Sequence, residues 1–290
     1  MPEPILPEKR AVRRAFDRAA DTYDRHNVLQ CEVGLRLLKH LDPIKVAPSR
    51  ILDIGCGTGL FFDELRKRFP APELVGVDIA PAMLRKARAR TPKWKRLLHL
   101  RAPRLVCGDA ESLPFAGGSM QMVFSNLALQ WTHPEAVFRE AARVLEPGGL
   151  FLFSTFGPDT LKELREAFAA VDGHGHVNRF FDMHDLGDGL VHAGFADPVM
   201  EMEVITLEYA CVEAIARDLK AIGARNALPD RPRGLSSRAR WRAVIAAYEK
   251  HRREGILPAT YEVVYGHAWK TAPRRIEDGR QVIQFAPRRA

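Results

Sequence analysis

The chain has 290 residues, 46% hydrophobic and 28% charged, an ordinary globular composition long enough to bury a substantial core in one large domain or two small ones. No apolar run approaches the roughly 20 residues of a bilayer span, and Met1-Pro2-Glu3-Pro4 lacks the basic and then apolar opening of a secretory signal, so no membrane partner and a cytoplasmic location are expected. A formal charge of +8 with a pI near 9.5 calls for a partner that is at least partly anionic, whether nucleic acid, an acidic protein or a small anion.

Residues 8–41 carry Val12, Phe16, Ala19, Ala20 and Tyr23, then Val28, Val33, Leu37, Leu38 and Leu41, at helical spacing, which predicts one or two amphipathic helices. Asp42-Pro43 and Ala47-Pro48 mark a linker. From there short apolar runs alternate with helical ones, the pattern of a parallel sheet with crossover helices. Strands are predicted at 50–54, 74–78, 105–107, 120–125 and 150–155. Helices are predicted at about 58–69, from Ala80-Pro81 to about Arg90, and from Pro134 to Leu145, where Pro147-Gly148-Gly149 is a strong stop. A polar, basic loop of unusual length runs to Arg104. Beyond 155, helices fit 158–170, 183–193, 211–224 and 236–253, with a half-exposed strand at 198–207 and a last strand at 260–269. This reads as a single domain over 1–270: lid helices 8–41, a core 49–207, a helical cap 211–254 between the last two strands, and a loose basic tail 271–290.

The stretch Ile51-Leu52-Asp53-Ile54-Gly55-Cys56-Gly57-Thr58-Gly59 reads as buried strand, tight turn and helix start. Side chains at Gly55, Gly57 and Gly59 would block close approach of a ligand to the turn. A dinucleotide fingerprint needs Gly or Ala at position 60, and Leu60 stands there. The G-x-G-x-G form with Asp53 upstream instead resembles the first motif of class I S-adenosylmethionine methyltransferases. Asp78, about 20 residues on at a strand end, is placed to accept from two ribose hydroxyls. Ile79 and Met83, just beyond it, are assigned to the same cofactor site. Asp109 can accept from an adenine amino group beside the Ala110 N–H, and Asn126 closes the fourth strand at the same edge. The four cysteines, Cys31, Cys56, Cys107 and Cys211, form no C-x-x-C pair, so neither a disulfide framework nor a metal site is expected.

The acceptor is read from the flanks. Methylation of planar nitrogens usually goes with [DNS]-P-P-[FYW] after strand four, and here Ser125-Asn126-Leu127-Ala128 stands instead. Four segments resemble the malonyl-acyl-carrier-protein O-methyltransferases of biotin synthesis: Ala15 to Gln30, Ser125 to Trp131, Val177-Asn178-Arg179-Phe180 and Leu219 to Ala224. That resemblance implies a Rossmann-like fold with a mostly parallel seven-stranded sheet, and methyl transfer from S-adenosylmethionine to the free carboxylate of a malonyl thioester. It implies malonyl-loaded acyl carrier protein, or malonyl-CoA, as partner, with no stable nucleic-acid complex. Tyr23 and His26, three apart on one helix face, are expected to form the acceptor pocket with Gln130 and Trp131. Arg179 and Lys220 are candidates to clamp the thioester arm, and Arg231, Arg233, Arg238, Arg240 and Arg242 to steer an acidic carrier. A modifier of a protein arginine, like a mitochondrial complex I assembly factor, and an RNA methyltransferase built on the basic runs stay open on sequence alone. Each basic run reads as well as a solvated face.

Overall fold

The computed structural model describes residues 6–69, 72–91, 102–229, 231 and 237–271. Much of the basic loop before Arg104, Arg233 and the tail from 272 lie outside them. Three helices, α1 (Lys9–Ala19), α2 (Tyr23–His26) and α3 (Val28–Lys39), precede the first strand, one more than the periodicity suggests. The break after α1 is held by Thr22, whose hydroxyl donates to the carbonyls of Ala19 and Ala221.

The core alternates β1 (Arg50–Ile54), α4 (Phe62–Arg68), β2 (Glu73–Asp78), α5 (Pro81–Arg90), β3 (Arg104–Cys107), β4 (Met120–Asn126), α6 (Pro134–Val144) and β5 (Leu145–Phe156). Then follow α7 (Lys162–Ala169), α8 (Met183–His192), β6 (Phe195–Tyr209), α9 (Val212–Ala221), α10 (Arg238–Tyr248) and β7 (Leu257–Lys270). The seven strands lie in the order β3-β2-β1-β4-β5-β7-β6. Neighbours from β3 to β5 are parallel, and β7 runs antiparallel to β5 and β6 between them. The expected mostly parallel seven-stranded sheet is thus present.

Successive strand residues point to opposite faces, and both faces are covered. Ile51, Met122, Phe124, Leu150 and Leu152 pack under α3, α4 and the cap, whereas Leu52, Val123, Phe151 and Phe153 pack with Val137 and Phe138 of α6 and Leu186 and Leu190 of α8. Proline opens α5 and α6 at the position where its missing N–H costs nothing. Asp182 and Ser237 cap α8 and α10 by accepting from the backbone N–H groups of His184 and Arg240.

Three boundaries differ from expectation. Strand β5 begins at Leu145 and runs through Pro147-Gly148-Gly149, because Leu145 pairs with Met120 across a bulge before the regular register starts at Met122 and Leu150. Strands β6 and β7 pair from Phe195 with Lys270 to Tyr209 with Leu257, longer than their alternation suggests. The interruption near Pro198 is a register shift between Ala196 and Val199. Helix α4 starts at Phe62 because Gly55, Gly57 and Gly59, with φ of 70°, 53° and 74°, hold the turn in left-handed backbone.

Candidate active site

At the carboxyl end of the sheet the glycine turn hangs from β2, the Gly55 and Cys56 N–H groups donating to the Val77 carbonyl at 2.8 and 3.1 Å. A Cβ at Gly55 would meet the Ala128 Cβ at 2.4 Å, while one at Gly57 would stand in open space with no atom within 4 Å. That space belongs to a cleft lined by Gly55, Gly57, Asp78, Ile79, Met83, Asp109, Ala110 and Asn126, which brings these residues together. Gly59 and Asp53 are not among its lining residues. Gly59 owes its identity to packing, since a Cβ there would meet the Phe62 ring at 2.8 Å. Asp53 is buried, 3% exposed, in the strand that leads into the turn.

Asp78 accepts from the Gly57 N–H at 2.9 Å and the Ala80 N–H at 2.7 Å. Burial nevertheless outweighs these bonds and pushes its carboxyl up to about 6. Burial, with the Asp78 charge adding to it, pushes Asp53 up to about 8. Two carboxyls held above their ordinary range leave a site short of positive charge. A ligand bearing a sulfonium, an ammonium and ribose hydroxyls fits that deficit and the open cradle at Gly57.

The lid closes the cleft with polar ties, several of them unforeseen. Lys9 lines the cleft and reaches Asp109 Oδ2 and Glu111 Oε2, each at 2.6 Å. Asp109 also accepts from the Glu111 N–H, so both its oxygens are engaged. Asp17 Oδ1 accepts from the Ala82 N–H at 2.9 Å, satisfying a first-turn donor of α5 that the helix's own cap leaves open. Asp24 binds the Thr58 hydroxyl and Arg90, each at 2.7 Å. Asn126 ties β4 to the lid by donating to the Gln30 carbonyl, while accepting from Ser154 of β5.

A second cavity adjoins the cleft, sharing Phe16, Tyr23, Leu127 and Trp131 with it as a common wall. Phe16 and Trp131 meet edge to face, their ring centroids 5.4 Å apart. Of the four expected acceptor residues, Tyr23, Gln130 and Trp131 line this cavity. Burial first, then the nearby Asp78 charge, pushes the Tyr23 phenol up, so it stays protonated and can donate. The Gln130 amide is turned to the protein, donating to the Leu127 carbonyl at 2.6 Å. His26 lines neither cavity. The four-residue α2 ends there, and His26 Nδ1 turns to Asp218 of the cap at 2.9 Å.

The expected clamps lie elsewhere as well. Arg179 lines a groove with Arg165 and Asp182 rather than the second cavity, Phe180 lining both. On α9 it is Leu219 that faces the cavity, with Ile222 just past the helix end, and a helical turn of about 100° per residue leaves Lys220 exposed outside it. Arg225 and Gln30, neither singled out in the sequence, do line it, each with a buried polar atom that has no partner, Nε and Oε1 respectively. Of the steering arginines, Arg231 binds Glu8 at 2.9 Å and Arg240 binds Asp172, whereas Arg238 and Arg242 are exposed. Helix α9 roofs the second cavity, while α10 packs on α7, so only the first half of the cap covers the site. Among the described residues no helix is long and apolar enough to cross a membrane, and no group of three or more His, Cys, Asp or Glu could hold a metal ion.

Residues 52–153 match the methyltransferase domain family. The chain is 55% identical to the malonyl-[acyl-carrier protein] O-methyltransferase of Laribacter hongkongensis over 99% of both chains, and 51% identical to that of Gallionella capsiferriformans over 96% of both. In fold it is similar to phosphoethanolamine N-methyltransferase 2 of Haemonchus contortus in complex with S-adenosyl-L-methionine, with a TM-score of 0.54 at 18% identity, covering 88% of this chain and 57% of that one.

Proposed function

Because the chain belongs to the malonyl-[acyl-carrier protein] O-methyltransferases, we propose that its cleft and second cavity divide one reaction between them, the cleft holding the methyl donor and the cavity the acyl acceptor. The protein is an S-adenosylmethionine-dependent methyltransferase that esterifies the free carboxylate of a malonyl thioester on acyl carrier protein, the methyl ester serving the pimeloyl stage of biotin synthesis. The observation that carries the division is the shared wall of Phe16, Tyr23, Leu127 and Trp131, across which two substrates would meet.

The donor's chemistry is an electrophilic methyl group on a sulfonium. A carboxylate with a pKa of about 4 is already ionised at neutral pH, so the protein has no proton to remove. What its residues supply is placement and dryness. Attack joins opposite charges and disperses them, which a closed, water-poor site favours over bulk solvent. Asp78 would hold the ribose hydroxyls, and Ile79, Met83 and the Asp109–Ala110 edge would hold the adenine. Tyr23, with its proton retained, donates to the acceptor carboxylate and orients it, while Trp131 and Phe16 exclude water at the junction.

Among the described residues no Asp or Glu lines the second cavity, a chemistry suited to an anionic acceptor and unsuited to an arginine side chain. An acidic carrier protein also suits the net charge of +8, with Arg238 and Arg242 offering exposed cations beside the cap. Malonyl-CoA presents the same acyl group without the carrier surface. Neither nucleic acid nor a membrane enters the reading. The test is incubation with labelled S-adenosylmethionine and, in parallel, malonyl-carrier protein, malonyl-CoA or RNA. A base-labile methyl ester on the malonyl substrate is expected; label confined to RNA or protein arginine would overturn the assignment.

A further inference from the structure

An ionised carboxylate taken into a partly buried cavity needs a counter-charge, because an unpaired charge loses its hydration there without recompense. Two lining residues of the second cavity could supply one, His176 and Arg225. His176 is engaged: its Nε2 lies 3.0 Å from Asp172, which also binds Arg240, and its ring stacks on Phe168 with centroids 3.9 Å apart. Arg225 is different. Among the described residues its guanidinium has no hydrogen bond or ion pair, and its Nε is buried without a partner. An orphaned charged donor in a cavity wall is costly for the folded protein and is expected where a ligand supplies the missing acceptor.

The backbone around Arg225 is built to hold it there. Helix α9 ends in a left-handed turn at Gly223, φ +80°, where a Cβ would meet Phe16 at 3.1 Å and the Ala19 Cβ at 3.2 Å. The Ala224 N–H donates back to the Leu219 carbonyl at 2.8 Å and the Arg225 N–H to the Gly223 carbonyl at 2.8 Å. On the other side the Asn226 amide donates to the Gly175 carbonyl at 2.7 Å and accepts from the Leu228 N–H at 3.0 Å. The guanidinium is therefore carried on a segment fixed at both ends, against the lid helix that roofs the donor cleft.

The geometry points to Arg225 as the residue that pairs with the malonyl carboxylate in the second cavity. This deepens the assignment above and rests on it. A guanidinium fork binds a carboxylate with two parallel N–H donors, and one oxygen still keeps a lone pair for attack. In the transfer that oxygen forms a bond to the methyl carbon as the carbon–sulfur bond breaks, its electron pair returning to sulfur. The acceptor becomes a neutral ester, the ion pair with Arg225 ends, and the product loses its strongest hold on the cavity. Arg225 thus separates malonyl from uncharged acyl groups on entry and substrate from product on exit. Because the charge it grips fades in the transition state, its contribution lies in binding more than in kcat.

The experiment compares Arg225→Gln and Arg225→Lys with the wild type, using malonyl-carrier protein as substrate and its methyl ester as inhibitor, with S-adenosylmethionine affinity by calorimetry as the check on folding. Arg225→Gln should raise KM for the malonyl substrate about 10- to 100-fold, change kcat less than about threefold, and leave inhibition by the ester unchanged. Arg225→Lys keeps the charge without the fork and should fall between. An unchanged KM, or an equal loss for substrate and ester, overturns the proposal. Should the variants fail to fold, the wild type still tests the ion pair: binding the malonyl form less than roughly tenfold more tightly than the ester overturns the proposal. A wild type that makes no malonyl ester at all instead refutes the assignment on which the proposal rests.

Discussion

Replacing Asp53 by asparagine removes a charge from the strand under the glycine turn and keeps the shape of the side chain. Burial and the neighbouring Asp78 push the Asp53 carboxyl from 3.8 up to about 8 in the folded protein. The folded state therefore holds this proton more tightly than the unfolded chain does. The stability this confers is fully present below pH 4 and drains away as pH rises towards 8. At about 1.4 kcal/mol per pKa unit, the ligand-free wild type should lose about 3 to 4 kcal/mol from this one group between pH 5 and pH 8. Asp78, pushed to about 6, adds a loss complete by about pH 7, and it does so in wild type and variant alike. The difference between the two proteins isolates Asp53. Urea unfolding of ligand-free protein at pH 5, 6, 7 and 8 measures it: Asp53→Asn should gain on the wild type steadily with pH. Saturating S-adenosylmethionine, whose cationic groups favour the ionised carboxyl, should flatten the wild-type curve. A stability difference independent of pH would refute the argument that Asp53 is buried without a compensating charge.

Asp78→Ala should weaken S-adenosylmethionine binding by about 100-fold or more, two hydroxyl partners being lost together; unchanged affinity by calorimetry removes Asp78 from the ribose role. Gly55→Ala and Gly57→Ala separate fold from ligand. Each forces a Cβ into left-handed backbone at about 1–2 kcal/mol, but only at Gly55 does that Cβ also strike Ala128, at 2.4 Å, so Gly55→Ala should unfold at clearly lower urea. Gly57→Ala should fold nearly as well and lose cofactor affinity, because its Cβ projects into the open cleft. Tyr23→Phe should lower kcat/KM for the malonyl substrate about 10- to 100-fold with cofactor affinity retained, whereas His26→Ala, which breaks only a half-exposed contact with Asp218, should leave kcat within about twofold. Equal defects in these last two would return His26 to the acceptor pocket.

The donor half of the site is legible in the sequence because it is written in one local unit. An apolar run, three glycines with positive φ and an acid at the next strand end occupy fixed places on adjacent parallel strands, so spacing alone brings Gly57 and Asp78 into contact. Even there, Gly59 belongs to packing, since it faces Phe62 on the helix side of the turn. Lys9 carries no such signal. It is a helix-start lysine whose partners Asp109 and Glu111 stand about a hundred positions away.

The second cavity, proposed for the acceptor, is walled in part by turns, where residue type and helical period mislead together. Along α9, period 3.6 correctly turns Leu219 to the cavity and for the same reason turns Lys220 away from it. Periodicity stops at Ala221. The left-handed turn at Gly223, demanded by the approach of Phe16 and Ala19, swings the chain back under the lid, and the cation it delivers to the cavity is Arg225. Arg179, in the irregular stretch before α8, carries no period at all, and it lines the neighbouring groove, with Phe180 common to both. A cation on a helix has an address readable from spacing, but one placed by a glycine turn is found only when the surface that forces the turn is known. In this protein that surface is the lid over the cleft, so the residues that line the second cavity depend on the helix that closes over the first.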